Sequence, residues 1–255
     1  MTQNDNANIV ETTVSTQRVY DGLILHIDHI TNRLPNGKLA AREIAREDRE
    51  ESERQYARRR ARLLREGIID ARWYFGSKDL AQGPDNETAY DLAKACAARP
   101  QAGELPKLLL ICGAAGSGKS VLKSCVATQW FTHSSAEIIC ECTCSEIANV
   151  SLQRNHRESD ADKWQRWVKS SLLIIDNLAS DGRDSLNSFE IQSCGQLLRE
   201  HHRAGGCLVV TMTADADALG EQLRARLGNF VYQSLLEYNV DVIKLIGLSY
   251  RRDLD

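Results

Sequence analysis

Four residues with strong chemical preferences fall within one short stretch, GAAGSGKS at 113–120: Gly113, Gly118, Lys119 and Ser120. They satisfy the phosphate-loop pattern GxxxxGK[ST] without a mismatch. The glycines let the backbone turn tightly, so that amides of Gly113, Ala114, Ala115, Gly116, Ser117 and Gly118 can point inward around a β-phosphate. Lys119 would then reach the β/γ oxygens, and Ser120 would offer its hydroxyl to Mg²⁺. An apolar run, KLLLIC at 107–112, precedes the loop, and SVLKSCVATQWF at 120–131 follows it as an amphipathic helix. Strand, loop and helix in that order are the setting the pattern requires, and ATP with Mg²⁺ is the expected cofactor pair.

A carboxylate to complete the site stands in SLLIIDN at 171–177. Leu172 to Ile175 read as a buried strand that delivers Asp176 to its C-terminal end, where ligands gather in open α/β sheets. Asp176 would hold Mg²⁺ through water, the Walker-B role. Asn177 follows it, where hydrolytic relatives of this architecture usually place Glu or Asp. An amide can orient a water but cannot take its proton at neutral pH, so slow turnover is expected. The next apolar run, CLVVTMTA at 207–214, carries Thr211 and Thr213. Either hydroxyl could occupy a sensor position near a γ-phosphate, and Thr213 is taken as the catalytic candidate. Farther on, LGEQLRARLGN at 219–229 places Arg224 and Arg226 on an expected helix, from which an arginine could reach a neighbouring subunit's nucleotide.

Elements able to position these residues are legible in the hydrophobic pattern. Strand-like runs at 107–112, 137–142, 171–176, 207–212 and 240–246 alternate with helical stretches. Such alternation predicts an α/β domain from 68 to 255, a five-stranded parallel sheet flanked by helices. Residues 1–67 read as a separate helical N-terminal arm, with 1–16 disordered. Within it Val19, Leu23, Ile27, Ile30 and Leu34 recur at helical spacing, which predicts a helix over 18–34. A second, highly charged helix should run from 39 to Gly67. Its arginines Arg58, Arg59, Arg60, Arg62 and Arg65 could touch phosphates, although a solvated helix laced by i,i+4 ion pairs is the preferred reading.

Composition excludes more than it selects. The chain has 255 residues and a formal charge of −3, which gives no global case for nucleic acid or membrane. The polar N-terminus lacks the marks of a secretory signal, and no apolar run approaches the roughly 20 residues of a membrane span, so a cytoplasmic protein is expected. Eight cysteines lie mostly in apolar segments. The cluster CECTC at 140–144 reads as strand rather than metal site, since paired zinc cysteines usually leave wider gaps. His26 and His29 read as surface residues. Trp164 and Trp167, in a stretch that could face DNA, read as packing residues.

These pieces resemble the DnaC-type replicative helicase loaders and, more loosely, the IstB-like transposition ATPases, both of the AAA+ class of ASCE P-loop proteins. The resemblance rests on REDREESERQYARRRARLLREGI at 46–68, on GAAGSGKS, on LLIIDNLA, and on LGEQLRARLGN with GLSYRR at 247–252. It implies that Arg226 is a finger acting on the neighbouring subunit, although Ala225 stands where the family often has an acidic residue or serine. It also implies that the segment 18–34 belongs to an arm gripping a hexameric replicative helicase. The ATPase bodies would self-associate as a spiral on single-stranded DNA. Asn177, threonine at the sensor position and the long stretch 230–239 depart from the family pattern. Two other readings share the site: a transposition ATPase that binds duplex DNA and a transposase, and a nucleotide-gated adaptor with vestigial hydrolysis. A small-molecule kinase would leave the charged N-terminal helix without a place.

Overall fold

A computed structural model describes residues 17–20, 23–26, 37–76, 87–97, 104–133, 138–178, 186–214 and 219–246. The chain divides into two compact units, Met1–Arg60 and Ala61–Asp255.

In the first unit β1 (Gln17–Tyr20) and β2 (Leu23–His26) pair antiparallel, with Tyr20 opposite Leu23 and Gln17 opposite His26. This overturns the helix expected from 18; the remainder of that expectation, 27–34, lies outside the described residues. The overlooked signal is local: Asp21-Gly22 stands between two apolar, strand-prone runs, and Asp-Gly is a preferred two-residue hairpin connection. The charged helix does form, as α1 (Gly37–Arg65). Exposed ion pairs at i,i+4, including Arg46–Glu50 and Arg49–Glu53, line its middle, in keeping with a solvated helix.

Gly67 ends α1 in the left-handed conformation, φ +73°. Its amide bonds to the Leu64 carbonyl at 3.2 Å, while the Ile68 amide reaches back to Leu63 at 3.0 Å. Leu63 and Ile68 are buried in the same apolar cluster, which completes a Schellman motif and fixes where the chain leaves the helix.

The second unit contains α2 (Glu87–Cys96), β3 (Lys107–Gly113), α3 (Lys119–His133), β4 (Ile139–Cys142), α4 (Cys144–Gln153) and α5 (Glu158–Val168). It continues with β5 (Leu172–Ile175), α6 (Ser188–Arg203), β6 (Cys207–Met212), α7 (Leu219–Leu236) and β7 (Asn239–Leu245). All pairings in its five-stranded sheet are parallel, in the order β4-β5-β6-β3-β7. Strand β6 therefore separates the phosphate-loop strand β3 from the Asp176-bearing strand β5. Strands buried on both faces need apolar residues at every position, which is why KLLLIC and LLII lack alternation.

The strand period of two sorts these residues between two cores. Leu109, Ile111, Leu172, Ile174 and Val209 pack with Leu63, α2 and α3. Leu108, Leu110, Leu173, Ile175 and Val210 pack with α4 to α7. Trp164 and Trp167 of α5 are buried in the latter layer, and Trp164 Nε1 donates to Glu200 at 2.8 Å. Cys140, Cys142, Cys144 and Cys194 pack in the same layer, where burial raises the thiol pKa of Cys140 and Cys142.

The stretch 230–239 is mostly the second half of α7. Gly228, at φ +71°, kinks the helix, and Val231, Ser234 and Leu235 beyond it are buried. Gly195 of α6 leaves room for the Phe230 ring, where any β-carbon would collide. At the N-terminal ends of the strands His201 is fully buried. Its Nε2 donates to the Ser170 carbonyl at 3.0 Å and its Nδ1 lies 3.0 Å from the Tyr238 hydroxyl. Burial pushes its pKa down to about 4.

Candidate functional site

The phosphate loop leaves β3 at Gly113 and enters α3 at Lys119. Gly113 has no room for a side chain: a β-carbon would lie 2.6 Å from the Leu245 carbonyl oxygen and 2.8 Å from Ser117 Oγ. Gly116 and Gly118 take φ values of +80° and +94°, open to glycine and strained for other residues. The Ser117 amide closes a turn onto the Ala114 carbonyl at 3.2 Å, and the Ser117 hydroxyl is buried without a hydrogen-bond partner. Lys119 Nζ folds back onto the Gly113 and Ala114 carbonyls at 2.9 and 2.7 Å. Ser120 is exposed in the first turn of α3. This is a glycine-rich turn at a helix N-terminus, with an ammonium folded onto its carbonyls and a buried, unpartnered Ser117 Oγ, and the donor set suits a triphosphate.

Across the C-terminal edge of the sheet, three adjacent strands present polar groups on the α3 side. Alternation in β4 puts Glu141 on the face shared by Ile139, and alternation in β5 carries Asp176 to the face of Leu172 and Ile174. Thr211 of β6 lies on the face of Cys207 and Val209. The Thr211 hydroxyl donates to Asp176 Oδ1 at 2.5 Å and accepts from the Asn177 amide at 2.7 Å.

Lys123, one turn into α3, is only 5% exposed. Its ammonium donates to Glu141 Oε1 at 2.7 Å and to Asp176 Oδ2 at 2.9 Å. Burial disfavours the Asp176 carboxylate, but Lys123, Thr211 and the Asn177 amide outweigh it and hold the pKa below its ordinary value. Burial likewise works against the Lys123 ammonium, and the two carboxylates more than compensate, raising its pKa. Sequence reading missed Lys123 and Glu141. The available signal was parity: a glutamate at an inward position of a buried strand needs a cation across from it.

Of the two threonines, the structure joins Thr211 rather than Thr213 to Asp176. What Thr213 supplies is its carbonyl, which accepts from Arg226 Nη1 at 2.7 Å. Arg226 is half-buried, and its own carbonyl accepts from the Leu186 amide at 2.9 Å. Arg224 lies exposed, its guanidinium 4.7 Å from the centre of the Tyr232 ring. Asn177 is exposed, with φ +56°. Asparagine tolerates this left-handed conformation better than glutamate does, so the missing acid has a backbone reason beside it. GLSYRR at 247–252 lies outside the described residues. No helix among the described residues is long and apolar enough to cross a membrane.

No family model and no curated protein matches the sequence. Solved structures do match. The DnaC helicase loader is similar with a TM-score of 0.55 at 14% identity, over 65% of this chain and 92% of that one. DnaI is similar with a TM-score of 0.54 at 17% identity, over 73% and 93%. AMPPCP-bound DnaA from Aquifex aeolicus gives 0.54 at 11%, over 70% of this chain and 52% of its own. The match to a DNA replication initiation factor likewise takes in only 51% of that protein. The second unit therefore shares the fold of these structures, a five-stranded parallel P-loop sheet flanked by helices, and the resemblance to DnaC-type loaders holds at the level of fold.

Proposed function

We propose that this chain is an ATP-binding accessory protein of DNA replication that loads a hexameric replicative helicase onto single-stranded DNA. The observation that supports the reading is the placement of Asp176, Thr211 and the Gly113–Ser120 turn at the C-terminal ends of three adjacent strands, β5, β6 and β3. Backbone amides from Gly113 to Gly118 would hold the triphosphate, and Lys119 would exchange its two loop carbonyls for phosphate oxygens. Ser120 and Asp176 would hold Mg²⁺, which neutralises charge on the phosphoryl group being transferred. Thr211 fixes the Asp176 carboxylate by donating to one of its oxygens.

Asn177 would orient water without accepting its proton, so hydrolysis is slow and nucleotide occupancy acts chiefly as a signal. Arg226 would contact the nucleotide of an adjacent copy, exchanging the Thr213 carbonyl for a phosphate oxygen. Residues 1–67 would form the helicase-gripping arm and 68–255 the ATPase body. That the fold neighbours include DnaC, DnaI and DnaA supports a replication role over a transposition one.

Co-purification from the native host, with and without Mg²⁺–ATP, tests the reading. A replicative helicase retained by the intact chain and lost with Lys119→Ala is the expected result. A transposase in its place would select the transposition reading.

A further inference from the structure

A phosphate loop requires one lysine, Lys119; this chain buries a second, Lys123, one helical turn later. Its ammonium is shared between Glu141 at 2.7 Å and Asp176 at 2.9 Å, while Thr211 occupies the other Asp176 oxygen. Lys123 also lines a cavity of about 470 Å³ together with Ser120, Ser124, Gly67, Asp70 and Trp73. Lys123 thus lines one cavity with Ser120, the residue expected to ligate the metal. Glu141 Oε2 is buried without a hydrogen-bond partner, so Glu141 keeps capacity for the ammonium.

We propose that Lys123 is a resident counter-ion of the nucleotide site, neutralising Asp176 so that a nucleoside triphosphate binds with little dependence on magnesium. The inference rests on the nucleotide-site reading above. Two carboxylates and one ammonium leave this cluster at −1; without Lys123 it would stand at −2. A bare Asp176 repels a metal-free triphosphate and attracts hydrated Mg²⁺, and both effects make binding depend strongly on the metal. Lys123 weakens both. Glu141 supplies a second seat, on which the ammonium remains when Asp176 engages the metal.

The test is a fluorescence titration of the full chain with mant-ATP, in excess Mg²⁺ and in EDTA, read as the ratio of the two dissociation constants. The wild-type ratio should stay below about tenfold, and Lys123→Met should raise it by about tenfold or more. Glu141→Gln leaves Lys123 to Asp176 alone and should not raise it. Should Lys123→Met fail to fold, Lys123→Met/Glu141→Gln leaves Asp176 unpaired with no second carboxylate beside it and should still raise the ratio, though by less than the single variant. An unchanged ratio in whichever of these folds, a rise in Glu141→Gln, or a wild-type ratio already as large as the variant's overturns the proposal. Failure of the underlying reading looks different: wild type and Lys119→Ala would then bind mant-ATP equally poorly in both buffers.

Discussion

The Thr211 hydroxyl donates a hydrogen bond to Asp176 and accepts one from the Asn177 backbone amide on the same oxygen, so one side chain sets both residues at the end of β5. Thr211→Val removes a bond to a charged acceptor and strands the half-buried backbone amide of Asn177. The expected cost is about 1–3 kcal/mol in denaturant unfolding. Nucleotide affinity in Mg²⁺ should fall with it, and Thr211→Ser should restore both. A valine variant as stable as the parent would remove the positioning role.

Asn177→Glu places a potential base where the chain has an amide. ATP turnover should rise by about 10²-fold, within the range of general-base assistance. The left-handed backbone should charge glutamate about 1 kcal/mol in stability, which Asn177→Gly would escape. Steady-state hydrolysis and thermal melts read the two effects separately. Hydrolysis no faster than the parent's excludes position 177 as the cause of slow turnover.

Gly113→Ala forces a methyl group against the Leu245 carbonyl and Ser117 Oγ. Since only the loop and the end of β7 are disturbed, nucleotide binding should be lost while the far-ultraviolet circular dichroism stays that of the parent. Tight binding by the alanine variant would mean that the cradle tolerates a side chain after all.

His201 makes stability depend on pH in a defined direction. Unfolded, its ring titrates near 6.5; folded, burial holds it down to about 4. Above pH 6.5 neither state carries the proton and the stability is complete. As pH falls toward 4, the unfolded chain takes up a proton that the folded one refuses, for a loss of about 3 kcal/mol in all. His201→Gln keeps a donor for the Ser170 carbonyl and should flatten this part of a melting-temperature profile. A parent profile level between pH 6.5 and 4 would contradict the assignment.

What sequence reading could reach follows from how local each signal is. The strands of the second unit announce themselves because burial on both faces demands unbroken apolar runs, and the phosphate loop because its chemistry is contiguous. Lys123 and Glu141 lie 18 positions apart and meet only once β4, β5 and α3 are stacked. In a helix as apolar as α3, Lys123 looks like a surface position until Asp176 is placed beneath it. Thr211 and Thr213 are two positions apart in one apolar run, and the chain pattern alone cannot say which lies level with Asp176; β6 ends at Met212, and its register with β5 decides for Thr211. Around the paired strands β1 and β2, Val19, Leu23 and Ile27 fit a helical period by coincidence, whereas Asp21-Gly22 between two apolar runs is the stronger cue in the sequence.

The position of β3 also governs when the molecule matures. Its partners are β6 and β7, the last two strands among the described residues, with Leu108 opposite Leu208 on one side and Val240 on the other. A ribosome-bound chain that has emerged through α6 therefore owns the entire GAAGSGKS sequence but no neighbouring strand to brace it. Competence for ligand must await the C-terminal quarter, so a chain truncated before 207 should behave as inert toward nucleotide rather than as a weakened binder.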